Sequence, residues 1–512
     1  MNGYTNIEGY TVIYSYEDDT LTFLLDTISK TKQFTLNSQG MTLPIETPYV
    51  IGYDFNSHNY YVFFVSQMPD IHIFDTPLLA SIASTSVYGY IRYDSSTEFS
   101  AITGMSFYGK EIDQFYSLNK GYEMEIRSDF KSGSIMSVPY EKTADFFEFH
   151  LEKESITCTF GVETRVTNGT NKPMSVNSRL LLQFSEAKSS DKLIKLFGIT
   201  RDFFSFIAYR KNIDILNANL YGKTKYNSFG RIGTLYYNFG QCDMEEDKEI
   251  KKIIPYEFVK PHIQDIFQLI SNDKLYVEHI PESSYNRQHI TAARFVLITA
   301  AFEWTVRSAY DIEISDKQKQ VKADILEAIQ KIPDQKSYNK KFMKKFQFYE
   351  HLISGVDINL SGKIVYALKD LDPILKPFID NLYKLNGKET DPYTKMGDRL
   401  QAQRNNYAHG NIDKELNPDV ILDIIVLEWV NYSMVFKTIG YTNNQISRLI
   451  NGIFHLNFDI PDEENLCNKK EGENDKEISI EHNLKNQKEN INFVEKIKNM
   501  VKVFVKLLNS FS

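Results

Sequence analysis

Cysteine is scarce in this chain: Cys158, Cys242 and Cys467 are the only three, far apart and without C-x-x-C or metal-ligand spacing. That usage fits a reducing cytosol and gives no expectation of a metal or other cofactor. No secretory leader is expected either, because Met1 to Glu8 lack a basic start followed by an apolar run. No apolar run reaches membrane-spanning length; Phe295 to Val306 and Val420 to Val430 come nearest, and Glu or Asp interrupts both. Basic charge is not in excess either, since 58 Lys and Arg against 67 Asp and Glu leave a formal charge of −9. The molecule as a whole is therefore no basic nucleic-acid glove, and any nucleic-acid contact is confined to a local patch. Together these absences predict a soluble cytoplasmic protein without membrane contact, and they count against an extracellular carbohydrate-binding protein.

What is present is ample core material. Hydrophobic residues make up 42% of 512, enough for two to four domains, and the patterning predicts an α+β multidomain chain. Residues 1–243 read as a β-rich domain. Tyr10 to Tyr16, Tyr60 to Val65, Tyr88 to Tyr93 and Tyr122 to Ile126 are rich in β-branched and aromatic residues, with turn residues between them. An antiparallel sandwich or distorted barrel follows. Two helices interrupt it, Ile112 to Leu118 and Asp191 to Tyr209, the second with an apolar stripe from Leu193 to Ile207. Strands are expected to resume at Ile213 to Leu216 and Thr234 to Phe239. The many tyrosines invite a stacking role for sugar or base, against the plainer reading that tyrosine is a good strand residue with a polar tip.

The acidic junction Cys242 to Glu249 marks a change from period two to period 3.6, and the domain boundary is placed there. Residues 250–457 read as an all-α bundle, with helices at about 257–271, 284–311, 316–332, 337–353, 361–385, 393–409, 417–438 and 443–454. Phe295 to Arg307 and Val420 to Phe436 look fully buried at their centres yet carry Glu303, Asp423 and Glu428. A carboxylate buried without a partner costs several kcal/mol, so each requires one. For Glu303 the choices are Arg307, four residues on, or Arg404 on another helix. Residues 458–490 read as a charged flexible linker, and 491–512 as an amphipathic helix suited to packing or self-association.

The strongest site candidate is Gln403 to Gly410. On an ideal helix Arg404 and His409 lie about 140° apart, and a last turn relaxing toward Gly410 would swing the histidine round. RNA carries its own nucleophile in the 2′-hydroxyl, so cutting it needs a base, an acid for the leaving 5′-oxygen and a cation for the charged transition state. Imidazole suits either proton role, worth roughly 10²–10⁴ in rate, and guanidinium suits the third with a planar fork matched to phosphate. Asn405 is placed to position phosphate or guanidinium, and Tyr407 to stack on a base or donate to phosphate. Acid and base act on opposite sides of an in-line displacement, so two copies of the helix across a two-fold axis are expected to complete one cleft. The bland alternative is a helix end closed by a histidine on its dipole. A looser match, Arg448 and His455, lacks a polar cluster and is interrupted by Gly452.

The Arg-Asn-x-x-x-His pattern ending one helix of a bundle, with an earlier helix reading Ala300-Ala301-Phe302-Glu303-Trp304, resembles the HEPN superfamily. More narrowly it is similar to the Apea-like branch, in which a β-rich domain precedes the HEPN domain; the likeness spans most of residues 1–455. The resemblance implies a metal-independent endoribonuclease of bacterial anti-phage defence by abortive infection. It implies a homodimer that cleaves cellular RNA, tRNA foremost, with the N-terminal domain sensing a phage-derived trigger or restraining activity. It also implies catalytic roles for Arg404, Asn405 and His409 and support from Glu303. The alternative is a non-catalytic module that grips RNA or a partner.

Overall fold

The computed structural model describes residues 1–460 except 8–9, 26–35, 38–39, 42–48, 66–69, 74–80, 95–101, 127–132, 168–173, 225, 227, 238–243, 313–315, 336–339, 355–357, 411–417 and 459. The expected linker beyond residue 460 and the expected helix 491–512 lie outside the described residues.

The N-terminal half opens with strands β1 (Asn2–Ile7), β2 (Tyr10–Glu17), β3 (Thr20–Leu25), β4 (Tyr49–Asp54), β5 (Tyr60–Val65) and β6 (Ser81–Tyr93). β1 pairs with β2, β2 with β3, β3 with β6, β6 with β5, β5 with β4 and β4 with β1, all antiparallel, so the six close into a barrel. Closure removes the open edges that an isolated sheet would present. Alternation places Val12 and Tyr14 of β2 inside, with Phe23, Tyr61 and Phe63 from the neighbouring strands. Tyr14 needs room there, and Gly52 provides it: a Cβ at that position would stand 2.6 Å from the tyrosine ring.

Beyond the barrel, β6 continues through β12 (Phe229–Tyr237) and β11 (Asn217–Lys223) to β7 (Ile102–Phe107). The order ends with β10 (Met174–Phe184), β9 (Glu154–Val166) and β8 (Asp145–Leu151). The expected helices are present as α1 (Lys110–Phe115) and α2 (Ser190–Ala208). The apolar stripe of α2 is buried, with Phe197 edge-on to Phe107 at 5.4 Å. Cys158 is buried in β9, where desolvation pushes its thiol up.

Two expectations are corrected here. Ile213 to Leu216 is not a strand. The Glu111 carboxylate, paired with Arg210 at 2.6 Å, accepts the Asp214 backbone N–H at 2.9 Å and pins the segment as a loop. The boundary expected at residue 243 falls later, because one compact unit comprises Met1–Lys274 with Ile280–Ser284 and the other Leu275–His279 with Tyr285 onward. The change of period marks the first helices that cover the sheet, not a new unit. In α3 (Ile263–Ser271), Phe267 stacks on Phe203 at 4.4 Å and meets Phe147 at 5.1 Å.

The second unit is the expected helical bundle. It comprises α4 (Ala292–Ala309), α5 (Asp316–Gln335), α6 (Lys340–Ser354), α7 (Leu360–Asp370), α8 (Asp372–Leu385), α9 (Tyr393–Ala408), α10 (Pro418–Thr438) and α11 (Asn443–Phe454). The single helix expected over 361–385 is two, because Pro373 in the first turn of α8 suits a fresh start. α10 is buried from Val420 through Phe436 apart from Ile425. α4 is not: Val296, Leu297 and Ala300 are only partly covered, and Trp304 is 44% exposed. Its open face is apolar, which is why the sequence alone reads as buried all round. Among the described residues no helix is long and apolar enough to cross a membrane.

Candidate active site

Helix α9 carries the site because its pattern is lopsided. Met396, Gly397, Leu400 and Gln403 are buried at intervals of one, three and three residues, forming the stripe that faces the bundle. Gly397 lets α9 approach α7 closely: an added Cβ would lie 2.8 Å from Ser361 Oγ and 2.9 Å from the Ser361 carbonyl oxygen. The same serine is tied to α9 by its hydroxyl, which donates to Asp398 at 2.7 Å, and by its backbone N–H, which donates to Gln401 at 2.9 Å. The middle of α9, just before the site, is held against α7 by this contact.

Past Gln403 the helix turns its polar residues outward. Arg404 is half-buried, and Asn405 and His409 are exposed. His409 is the residue where the helix stops, with φ −96° and ψ 8°; its backbone N–H still donates to the Asn405 carbonyl at 3.1 Å. Gly410 follows at φ +74°, a left-handed conformation that favours glycine and ends the helix. The expected relaxation of the last turn therefore occurs, while Arg404 and His409 share no hydrogen bond within the described residues.

Two arginines on α9 have different environments, and the difference decides which one can meet a ligand. Arg399 donates from Nε to Asp423 at 2.7 Å, from Nη2 to the same carboxylate at 2.9 Å and from Nη1 to Asp391 at 2.6 Å. Its side chain is 17% exposed and every fork is occupied. Tyr383 adds its hydroxyl to Asp423, whose carboxyl burial pushes up against the pull of Arg399. Arg404, by contrast, is 39% exposed and meets one carboxylate, Glu303, at 3.5 Å. That is an anchor with donors to spare. Arg399 is a structural cation, and Arg404 is available to phosphate.

The three core carboxylates thus each have an arginine partner: Glu303 with Arg404, Asp423 with Arg399, and Glu428 with Arg294 at 2.8 Å. Glu303 does not use Arg307, which is exposed and makes no ion pair among the described residues. Arg307 lies one turn beyond Glu303 on α4, so it is a second cation beside the site. The sequence reading weighed Arg307 only as one of two partners for Glu303; it missed Arg399, whose signal was the unpaired Asp423.

Tyr407 is half-buried. Its ring sits edge-on to Phe295 at 5.4 Å and lines a small apolar pocket with Ile290, Val420, Ile421 and Ile424. Burial pushes its phenol up. The ring packs α9 against α4 and α10, because an aromatic four residues after buried Gln403 falls on the inward stripe. Among the described residues no three His, Cys, Asp or Glu side chains gather where they could hold one metal ion. Compared with family models, curated proteins and solved structures, the chain finds no match.

Proposed function

We propose that the protein is a metal-independent endoribonuclease of HEPN type. The observation that carries this reading is Arg404, half-exposed and anchored by Glu303, on the same helix end as exposed Asn405 and His409. In the reaction the 2′-hydroxyl loses its proton to one imidazole and attacks the adjacent phosphorus. The P–O5′ bond breaks, a second imidazole protonates the leaving oxygen, and a 2′,3′-cyclic phosphate and a 5′-hydroxyl result. Arg404 offsets the charge that gathers on the phosphate oxygens, and Asn405 orients the phosphate.

One chain supplies one exposed imidazole at this helix end, so a second copy completes the cleft. The open apolar face of α4, with Val296, Leu297, Ala300 and Trp304 beside Glu303, supports a homodimer through this side. The β-rich unit is the sensor or restraint, the trigger is phage-derived, and the substrate is cellular RNA, tRNA foremost, whose loss halts an infected cell.

The test is cleavage of labelled RNA by the purified protein. His409→Ala is expected to abolish product at unchanged thermal stability, because the side chain is exposed. Chelator is expected to leave wild-type cleavage unchanged. Retained cleavage by the His409→Ala protein removes the proposal, and binding without cutting under every trigger replaces it with a gripping module.

A further inference from the structure

Helices α5 and α6 form an antiparallel hairpin that leaves much of its apolar surface in solvent. Val321 and Ile325 of α5 are exposed, and so are Met343, Phe348 (57%) and Tyr349 (49%) of α6. A hairpin that served only the bundle would turn such residues inward. The α6 segment, Lys340 to Ser354, holds four lysines and one glutamate, a formal +3 in a chain whose total is −9. Its single acid is spent on the hairpin itself, since Glu350 faces α5 and accepts from Gln330. On the opposite side Lys344, Phe348 and His351 recur at four and three residues, and all are exposed. Tyr349 stands beside them, its ring centre 5.9 Å from that of Phe348. Lys344 makes no ion pair among the described residues.

We infer that this face of α6 is a docking surface for single-stranded RNA. The charge selects a polyanion, and two adjacent exposed rings select one with unpaired, stackable bases. A duplex hides its bases, and a membrane-surface helix segregates its lysines from its apolar residues, whereas here Lys344 and Phe348 share one face. The inference rests on the ribonuclease reading for its purpose: it gives the substrate strand a second grip. α4 carries Glu303 and Arg307 and ends at Ala309, six residues or about 9 Å past Glu303. The hairpin begins at Asp316, seven residues further along the chain, so its root lies within about 25 Å of the end of α4 and within reach of a strand held at Arg404 and Arg307.

The experiment uses full-length His409→Ala protein, which separates binding from cutting, and a labelled unstructured 20-nucleotide RNA followed by fluorescence anisotropy at several salt concentrations. Replacing Phe348 and Tyr349 together by alanine is expected to weaken binding roughly tenfold, while Phe348→Trp retains it. Lys344→Glu is expected to flatten the dependence of log Kd on log salt by about 0.7, the share of one single-strand phosphate. The same RNA as a duplex is expected to bind more weakly and to ignore the ring substitutions. Unchanged affinity in the ring variants, or tighter binding to duplex or to anionic vesicles than to the single strand, overturns the inference. If the unmutated protein cuts RNA while the ring variants bind normally, the hairpin claim falls and the nuclease stands. If it binds through the rings and never cuts, the nuclease falls and the hairpin claim stands.

Discussion

Arg399 and Arg404 occupy one helix five residues apart, and only their partners distinguish a scaffold cation from a site cation. In the proposed reaction Glu303 positions Arg404, so Glu303→Gln is expected to reduce the cleavage rate about tenfold with a smaller effect on RNA affinity. Glu303→Asp should recover part of the rate. A loss confined to affinity, measured by single-turnover kinetics, would contradict that role. Arg399 yields a pH prediction. Its guanidinium holds the Asp391 carboxyl below the usual carboxylate range. A depressed carboxyl adds stability above its unfolded value, near 3.9, and loses it as pH falls through the folded value. The stability gap between wild type and Asp391→Asn, read from urea midpoints, is therefore expected to be full at pH 6 and to shrink below about pH 4. A gap that persists unchanged to pH 3 would show that Asp391 acts through packing instead. At this scale the sequence was partly legible. It demanded partners for Glu303, Asp423 and Glu428, yet could not say which arginine each would find, because those pairs span separate helices.

Helix periodicity made most of the second unit legible before any coordinates. Amphipathic stripes at 3.6 residues per turn survive in a single sequence, whereas the events that cut or cover helices depend on other elements. Pro373 divides α7 from α8, and the Glu111 side chain holds Ile213 to Leu216 out of the sheet despite their strand-like alternation. The packing of Tyr407 on Phe295 likewise depends on a second helix and could not be read from the motif alone. The close approach of α7 and α9 at Gly397 gives the prediction proper to this scale. Gly397→Ala is expected to cost about 1–3 kcal/mol by forcing Ser361 away, seen as a lower midpoint in thermal unfolding. An unchanged midpoint would mean that the two helices separate freely.

For the whole molecule, the barrel with its continuing sheet and the helical bundle form two compact units, as the change in periodicity anticipated in kind, though not in place. In the proposed homodimer the apolar face of α4 is what the second copy covers. Trp304→Arg is expected to give a protein that elutes as a monomer and cuts no RNA, with its fold retained because the ring is already 44% exposed. A monomeric variant that cuts at the wild-type rate would contradict the shared cleft.

The central claim is that Arg404 and His409 act on RNA. Its most direct measurement is sequencing of RNA ends from bacterial cells that express the wild-type chain or His409→Ala. New internal ends carrying 2′,3′-cyclic phosphate, abundant with the wild type and absent with the variant, are predicted. The same new ends in both would contradict the account.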